Sequence, residues 1–439
     1  MNKTENEDSR FRGNDVRGWN DVRGGNDVRG GNDAAAAVHD FVVAHAAAAQ
    51  EFLAALVRVP SDNPPGDCAP HAEVTAGLLE GLGFVVERHK VPADVVAVHG
   101  MISATNLVAR LKFGDGPVIA LNAHGDVVPP GTGWTADPYG AEVKDGWMVG
   151  RGVAVSKSDI ATYAFAMAAL RDCGAKLAGT VELHVTYDEE TGGEIGPGWL
   201  LAEGISRPDL AIGAGFSYGV VTAHNGCLHL EVTVHGRSAH AAMPATGADA
   251  LEAASGILTA IYGSRAELAS RVSKIAGIGS PQITVGLIEG GINTNVVPDK
   301  VVLRLDRRMI PEEDAREVEA GLIAMIKAAG EAFAGITVSV KRILLAAPLT
   351  PLPGAERLVA VLCRHASAVM GERVEAKGVP LYTDARHYAA AGVPVVLYGA
   401  GPHTIEEANA HRADERLELK DLALATEVMA LALLELLAG

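Results

Sequence analysis

Aromatic side chains make up only 5% of the 439 residues, so Ala, Val and Leu must fill the interior. Cysteine is scarcer still. Cys68, Cys173, Cys227 and Cys363 show no Cys-x-x-Cys spacing. That suggests no disulfide framework and makes a reducing cytoplasm the expected compartment. No uninterrupted apolar run reaches the ~20 residues that span a bilayer, and the N-terminus lacks the basic and apolar stretches of a secretory signal. Basic residues are outnumbered, 37 against 54 acidic ones, for a formal net charge of −17. This balance argues against a nucleic-acid partner, which needs a basic face, and weakens the case for an anionic membrane surface. It suits solubility, with carboxylates gathered locally where a cation binds.

The length allows two or three domains with ample core. Residues 1–33 stand apart: the hexapeptide Asn14–Trp19 recurs as Asn20–Gly25 and Asn26–Gly31. Three copies are too few to bury a core, and their Gly, Asn, Asp and Arg predict a disordered tail. From 34 to 58 the spacing is helical, with Phe41, Val42, Ala49, Phe52, Leu53, Leu56 and Val57 facing inward and Pro60 ending the run. Strand-like runs at 105–111, 118–123, 180–186, 210–214 and 393–398 then alternate with helical ones, including a helix opening near Ser158. This predicts an α/β fold whose mostly parallel sheet is covered by helices. Near Gly226 the texture changes. Leu228–Val234 alternates in period two, followed by a helix at 249–269, strands at 282–288 and 300–306, a helix at 312–330 and a strand at 336–341. That β-α-β-β-α-β order predicts an inserted ferredoxin-like α+β domain. The expected division is a tail at 1–33, a main domain built from 34–225 and 344–439, and the insertion at 226–343.

Three short strings carry chemistry: Ala123-His124-Gly125-Asp126, Tyr187-Asp188-Glu189-Glu190-Thr191-Gly192-Gly193, and Ala410-His411-Arg412-Ala413-Asp414-Glu415. Each sets a hard or borderline metal ligand beside a carboxylate. The first two follow apolar runs that read as buried strands, and open α/β sheets bind ligands beyond the carboxyl ends of their strands. Imidazole and carboxylate suit a borderline cation such as zinc, with one position left for water. The second carboxylate of an adjacent pair is then free to act as a general base. Asp126 is placed to accept the proton of the far nitrogen of His124 and so fix its tautomer. Together the strings predict a metal-dependent hydrolase.

From about Val38 onward the chain resembles the zinc aminoacylase and exopeptidase family that includes acetylornithine deacetylase, succinyl-diaminopimelate desuccinylase and glutamate carboxypeptidase. Further matches are Val59–Gly66, Gly150-Arg151-Gly152, Gly236-Arg237-Ser238-Ala239-His240, Gly290-Gly291 with Asn295–Asp299, and Thr383-Asp384-Ala385-Arg386. The resemblance implies a catalytic domain whose insertion acts as a lid and dimer contact. It makes Glu189 the general base and His124, Glu190 and His411 metal ligands, with His403 a loop residue. It makes His240 a donor reaching across a homodimer to the scissile carbonyl, and Asn295 and Arg308 carboxylate-binding residues. The implied cofactor is zinc, one or two ions, with cobalt or manganese as alternatives. The implied partner is a small substrate bearing a carboxylate, an N-acyl amino acid or a dipeptide.

Two departures stand out. Where such proteins carry an Asp bridging both metals, this chain has Val155; where they carry a Glu or Asp after a strand, it has Gly215. Three explanations follow. A single ion is held by His411 and Glu190, or shared with His124. Asp159, Asp188 or Asp209 supplies a replacement carboxylate. Or the metal pair is lost, and the scaffold is a metal-poor binding or regulatory protein.

Overall fold

A computed structural model describes residues 28–438, with side chains from residue 33. Residues 1–27, most of the repeat segment, lie outside the described residues. The first helix runs Val28–Val57, so the boundary expected at 33 falls inside it. By length and composition Asp33–Val57 is apolar enough to cross a bilayer. In the fold its stripe of Val42, Ala49, Phe52, Leu53, Leu56 and Val57 is buried, and it packs with the helices Lys157–Asp172 and Leu419–Leu437 on the main sheet.

The main sheet has eight strands in the order Val86–Lys90, Thr105–Lys112, Thr180–Thr186, Val118–His124, Leu210–Gly213, Val395–Leu397, Val220–His224, Ala376–Val379. Its centre is parallel: Val118–His124 lies between Thr180–Thr186 and Leu210–Gly213 and runs with both. Four of its residues, Ile119 to Asn122, pair on both sides. Near-continuous apolar composition follows from burial on both faces, and the short helices Pro197–Ala202 and Ala385–Ala390 cover the second face. Because neighbouring strands run the same way, their carboxyl ends align. His124 pairs with Thr186, three residues before Glu189.

The insertion is a four-stranded antiparallel sheet, ordered Gln282–Gly290, Lys300–Met309, Gly226–His235, Thr337–Ala346. Helices Ala250–Ser270 and Ala315–Glu331 cover one face, burying Leu228, Leu230, Val232, Val234, Leu303 and Leu305. Each helix starts at an Asp, Asp249 or Asp314, whose carboxylate accepts two backbone N–H groups of the first turn. The other face carries the alternate residues Cys227, His229, Asp306 and Arg308.

Packing of the first helix makes a direct prediction. Leu53, fully buried, should cost about 2–5 kcal/mol in urea unfolding when changed to Ala. Val43→Ala, at a position 64% exposed, should cost under about 0.5 kcal/mol.

Candidate active site

The parallel strand ends open into a cavity of about 380 Å³ that holds His124, Glu189, Glu190 and His411 from the main domain and His229 and Arg308 from the insertion. Asp126, fully buried, organises one wall. Its carboxylate accepts the backbone N–H groups of Glu189 (3.3 Å) and Glu190 (3.2 Å) and the Asn63 side-chain amide (3.0 Å). The turn after Thr186 is thereby drawn against the end of the neighbouring strand. His124 Nδ1 lies 2.9 Å from the Asp126 carbonyl oxygen and 3.4 Å from its carboxylate, which leaves Nε2 facing the cavity, 4.0 Å from Glu189 Oε2. Both the carbonyl and the carboxylate of Asp126 thus lie beside the far nitrogen of His124.

Ligand atoms of His124, Glu189 and Glu190 all lie within 4.8 Å of one another. His411 Nε2 is 3.5 Å from Glu190 Oε1, and that oxygen is buried without a hydrogen bond. Burial pushes Glu189 up to about 8; the charges of Glu190 and Asp126 add to this and His124 opposes it. Burial opposes a charge on His124, yet Asp126, Glu189 and Glu190 hold its imidazole well above the usual range. Four groups of this kind, with an unpartnered buried oxygen among them, fit a bound cation.

His411 sits in a strained loop. Asn409, His411 and Asp414 have φ of 51°, 60° and 55°, a left-handed conformation costing non-glycine residues about 1–2 kcal/mol each. The loop is held by a buried pair: Arg151 Nη1 donates to Glu415 Oε2 at 2.6 Å. Glu415 Oε1 also accepts the N–H groups of Ala154 and Val155, and Arg151 Nη2 donates to the Arg412 carbonyl. Arg151, Glu415, Asn63, Asp384 and Arg386 lay in motifs visible in the sequence, but their roles depend on contacts between distant segments. Arg386, for example, donates to the Gly192 carbonyl and so holds the turn after Glu190.

The residues needed for a second cation are arranged otherwise. Val155 lines the cavity with an apolar side chain. A Cβ on Gly215 would stand 2.7 Å from Tyr398 N and 2.9 Å from Leu397 C, so the backbone has closed over the place where a longer residue would start. Asp159 lines the cavity and is fully buried, but its Oδ1 accepts the Ala400 N–H at 2.8 Å. Burial raises its carboxyl well above the ordinary range despite bonds from the Ala400 and Gly215 backbone; it stays outside the cluster of converging ligand atoms. Asp188 and Asp209 each accept a backbone N–H. Asp188 Oδ2 accepts the Ile195 N–H at 2.7 Å, bracing the acidic turn. Asp209 accepts the Val118 N–H at 2.8 Å. It therefore sits at the amino end of the strand that ends in His124, about 20 Å from the site at 3.3 Å per residue.

Arg308 lines the cavity and donates to Asp306 through Nε at 3.0 Å. Its neighbour Arg307 points into the insertion and pairs with Glu313 at 2.6 Å. His240 and Asn295 do not line the cavity of their own chain. Both are exposed and lie together in the insertion, where His240 bridges to Val296 and the Asn295 carbonyl accepts the Ala241 N–H. His403 is likewise exposed, stacked on Tyr218 at 3.5 Å.

The model of peptidase family M20/M25/M40 matches residues 120–435. An acetylornithine deacetylase from Proteus mirabilis is 30% identical over 363 residues, 81% of this chain and 86% of its own length. A succinyl-diaminopimelate desuccinylase from Wolinella succinogenes is 27% identical over 394 residues, 87% of this chain and 98% of its own. Among solved structures, a dinuclear metal-binding M20 peptidase from Bacillus subtilis superposes with a TM-score of 0.64 at 16% identity, covering 90% of this chain and 99% of that one.

A bound cation would favour ionised Glu189, which burial pushes up to about 8, and would need neutral His124 and His411, whose imidazoles the neighbouring carboxylates hold above their ordinary range. Binding would therefore release protons, so zinc affinity should rise with pH. Calorimetry in buffers of different ionisation enthalpy counts the protons, and Glu189→Gln should remove its share of the slope.

Proposed function

Since this chain belongs to peptidase family M20/M25/M40, we propose that it is a cytoplasmic hydrolase cleaving the amide bond of a small N-acyl amino acid or dipeptide. One cation of the zinc class, with cobalt or manganese as alternatives, would be held by His124, Glu190 and His411. The observation that carries this reading is the convergence of His124, Glu189 and Glu190, drawn from two parallel strand ends, within 4.8 Å. When bound, the cation lowers the pKa of water toward neutrality and polarises a carbonyl. Glu189, poised near neutral pH by burial, takes the proton from the attacking water and returns it to the departing amine. Arg308 offers the substrate carboxylate a planar set of donors. Its bonds to Asp306 fix the guanidinium at the cavity wall.

Val155 and the closed backbone at Gly215 support one cation rather than the family-like pair. They equally favour a second reading, a metal-poor binding protein on the same scaffold. The placing of Glu189 at the cavity, with ligand atoms within 4.8 Å of those of His124 and Glu190, favours turnover, because a general base must reach the attacking water. Against a panel of acyl-amino acids and dipeptides with zinc supplied, the chain should hydrolyse at least one, and Glu189→Gln should lower kcat by about 100- to 10,000-fold. Full activity in Glu189→Gln or in His124→Ala rejects the mechanism; no cleavage and no tight zinc favours the binding protein.

We assign His240 to the oxyanion of a neighbouring subunit's substrate, which suits its exposure and its absence from its own cavity. His240→Ala should raise the barrier by about 3 kcal/mol. Mixing inactive His124→Ala and His240→Ala chains should restore part of the activity, since a mixed dimer holds one intact composite site. No recovery after subunit exchange overturns the assignment.

A further inference from the structure

The open face of the insertion brings three chemically unlike groups to one point. Cys227 and His229, two apart on one strand, project to the same side, and the antiparallel register sets Asp306 opposite His229 and Arg308 opposite Cys227. Cys227 Sγ lies 3.1 Å from His229 Nε2 and 3.9 Å from Asp306 Oδ1, and His229 Nε2 lies 3.2 Å from Asp306 Oδ2. A tetrahedral zinc with ordinary bond lengths sets nitrogen and oxygen ligands about 3.3 Å apart, and sulfur about 3.6 Å from either. The three side chains already stand near those separations. One nitrogen, with one proton or one lone pair, serves only one of its two neighbours well; a cation would give each of the three groups a bond of its own.

We propose that Cys227, His229 and Asp306 form a second divalent-cation site on the insertion's wall of the cavity, suited to a borderline metal of the zinc class. It is separate from the His124, Glu190 and His411 cluster and goes beyond the proposed hydrolysis, which does not require it. Cys227 is buried beneath, while His229 and Arg308 line the cavity, so the remaining coordination position faces the space where substrate would lie. Water or a substrate carboxylate fits there. Arg308 fixes the Asp306 carboxylate with bonds from Nε and Nη2, the supporting bond expected around a ligating carboxylate. Together with His229 it holds that carboxyl below its ordinary value, although burial opposes this. Burial pushes the Cys227 thiol up to about 12, so the sulfur is protonated without a cation, and metal uptake sends that proton to solvent. The site combines a thiolate with imidazole and carboxylate, whereas the catalytic cluster contains no sulfur.

That difference gives the test. Cobalt(II) titrated into the metal-stripped full-length chain should produce the near-ultraviolet charge-transfer absorption of a cobalt–thiolate bond. Cys227→Ser should abolish the band and remove one bound equivalent. His229→Gln, at a half-exposed position, should weaken both and serves as the second variant should Cys227→Ser fold poorly. His124→Ala should keep the band even where it abolishes hydrolysis, which separates this site from the catalytic reading. Absence of the band from the wild-type chain at saturating cobalt overturns the proposal, as does a band that survives Cys227→Ser.

Discussion

The buried carboxylate of Asp126 is the fixed point of the catalytic wall. It lies two residues beyond a strand end and takes N–H groups from the start of the acidic turn on the neighbouring strand, with a third bond from Asn63. A buried carboxylate tolerates desolvation only when such donors surround it, so losing any of these segments leaves a charge without partners. The same bonds set the direction of Glu189 and Glu190 and, through the Asp126 carbonyl, the face that His124 turns to the cavity. Ring orientation and the placing of two acidic side chains thus depend on one residue.

The C-terminal ligand depends on a second buried charge. Arg151 and Glu415 are both nearly inaccessible, and their pairing ties the left-handed loop carrying His411 to the segment ending at Val155. Removing one partner of such a pair leaves the other buried and unpaired, typically at 3–5 kcal/mol. That cost is comparable to the combined strain of the three left-handed residues. Val155 therefore lies in a well-braced segment, and the backbone of Leu397 and Tyr398 leaves Gly215 no room for a side chain. Asp159 lines the adjoining space, its carboxyl bonded to the Ala400 main chain.

The two faces of the inserted sheet show how period-two alternation divides labour. Leu228 and Leu230 go to the helices, while Cys227 and His229 go to the open side and meet Asp306 and Arg308 across the strands. The same rule separates Arg307, locked to Glu313, from Arg308 at the cavity. Adjacent residues of one type thus take unrelated tasks.

Much of this was legible in the chain alone. The apolar runs ending at His124 and Thr186, the period-two stretch after Gly226 and the β-α-β-β-α-β order follow from burial patterns local to each segment. The polar edge strand Val86–Lys90 and the short Ala376–Val379 were not legible, because they carry too few apolar residues to signal burial. Composition and hydrophobic periodicity determined the fold class and the inserted sheet, and the resemblance carried by the motifs pointed to His124, Glu190 and His411 as candidate ligands. Only the tertiary structure decided that Asp209 lies at the wrong end of its sheet, that Gly215 has no room for a side chain, and that Cys227 and His229 meet Asp306. The reason is physical: a segment's hydrophobic period fixes which way its own side chains point, but distances between segments are set by register and packing among residues far apart in the chain.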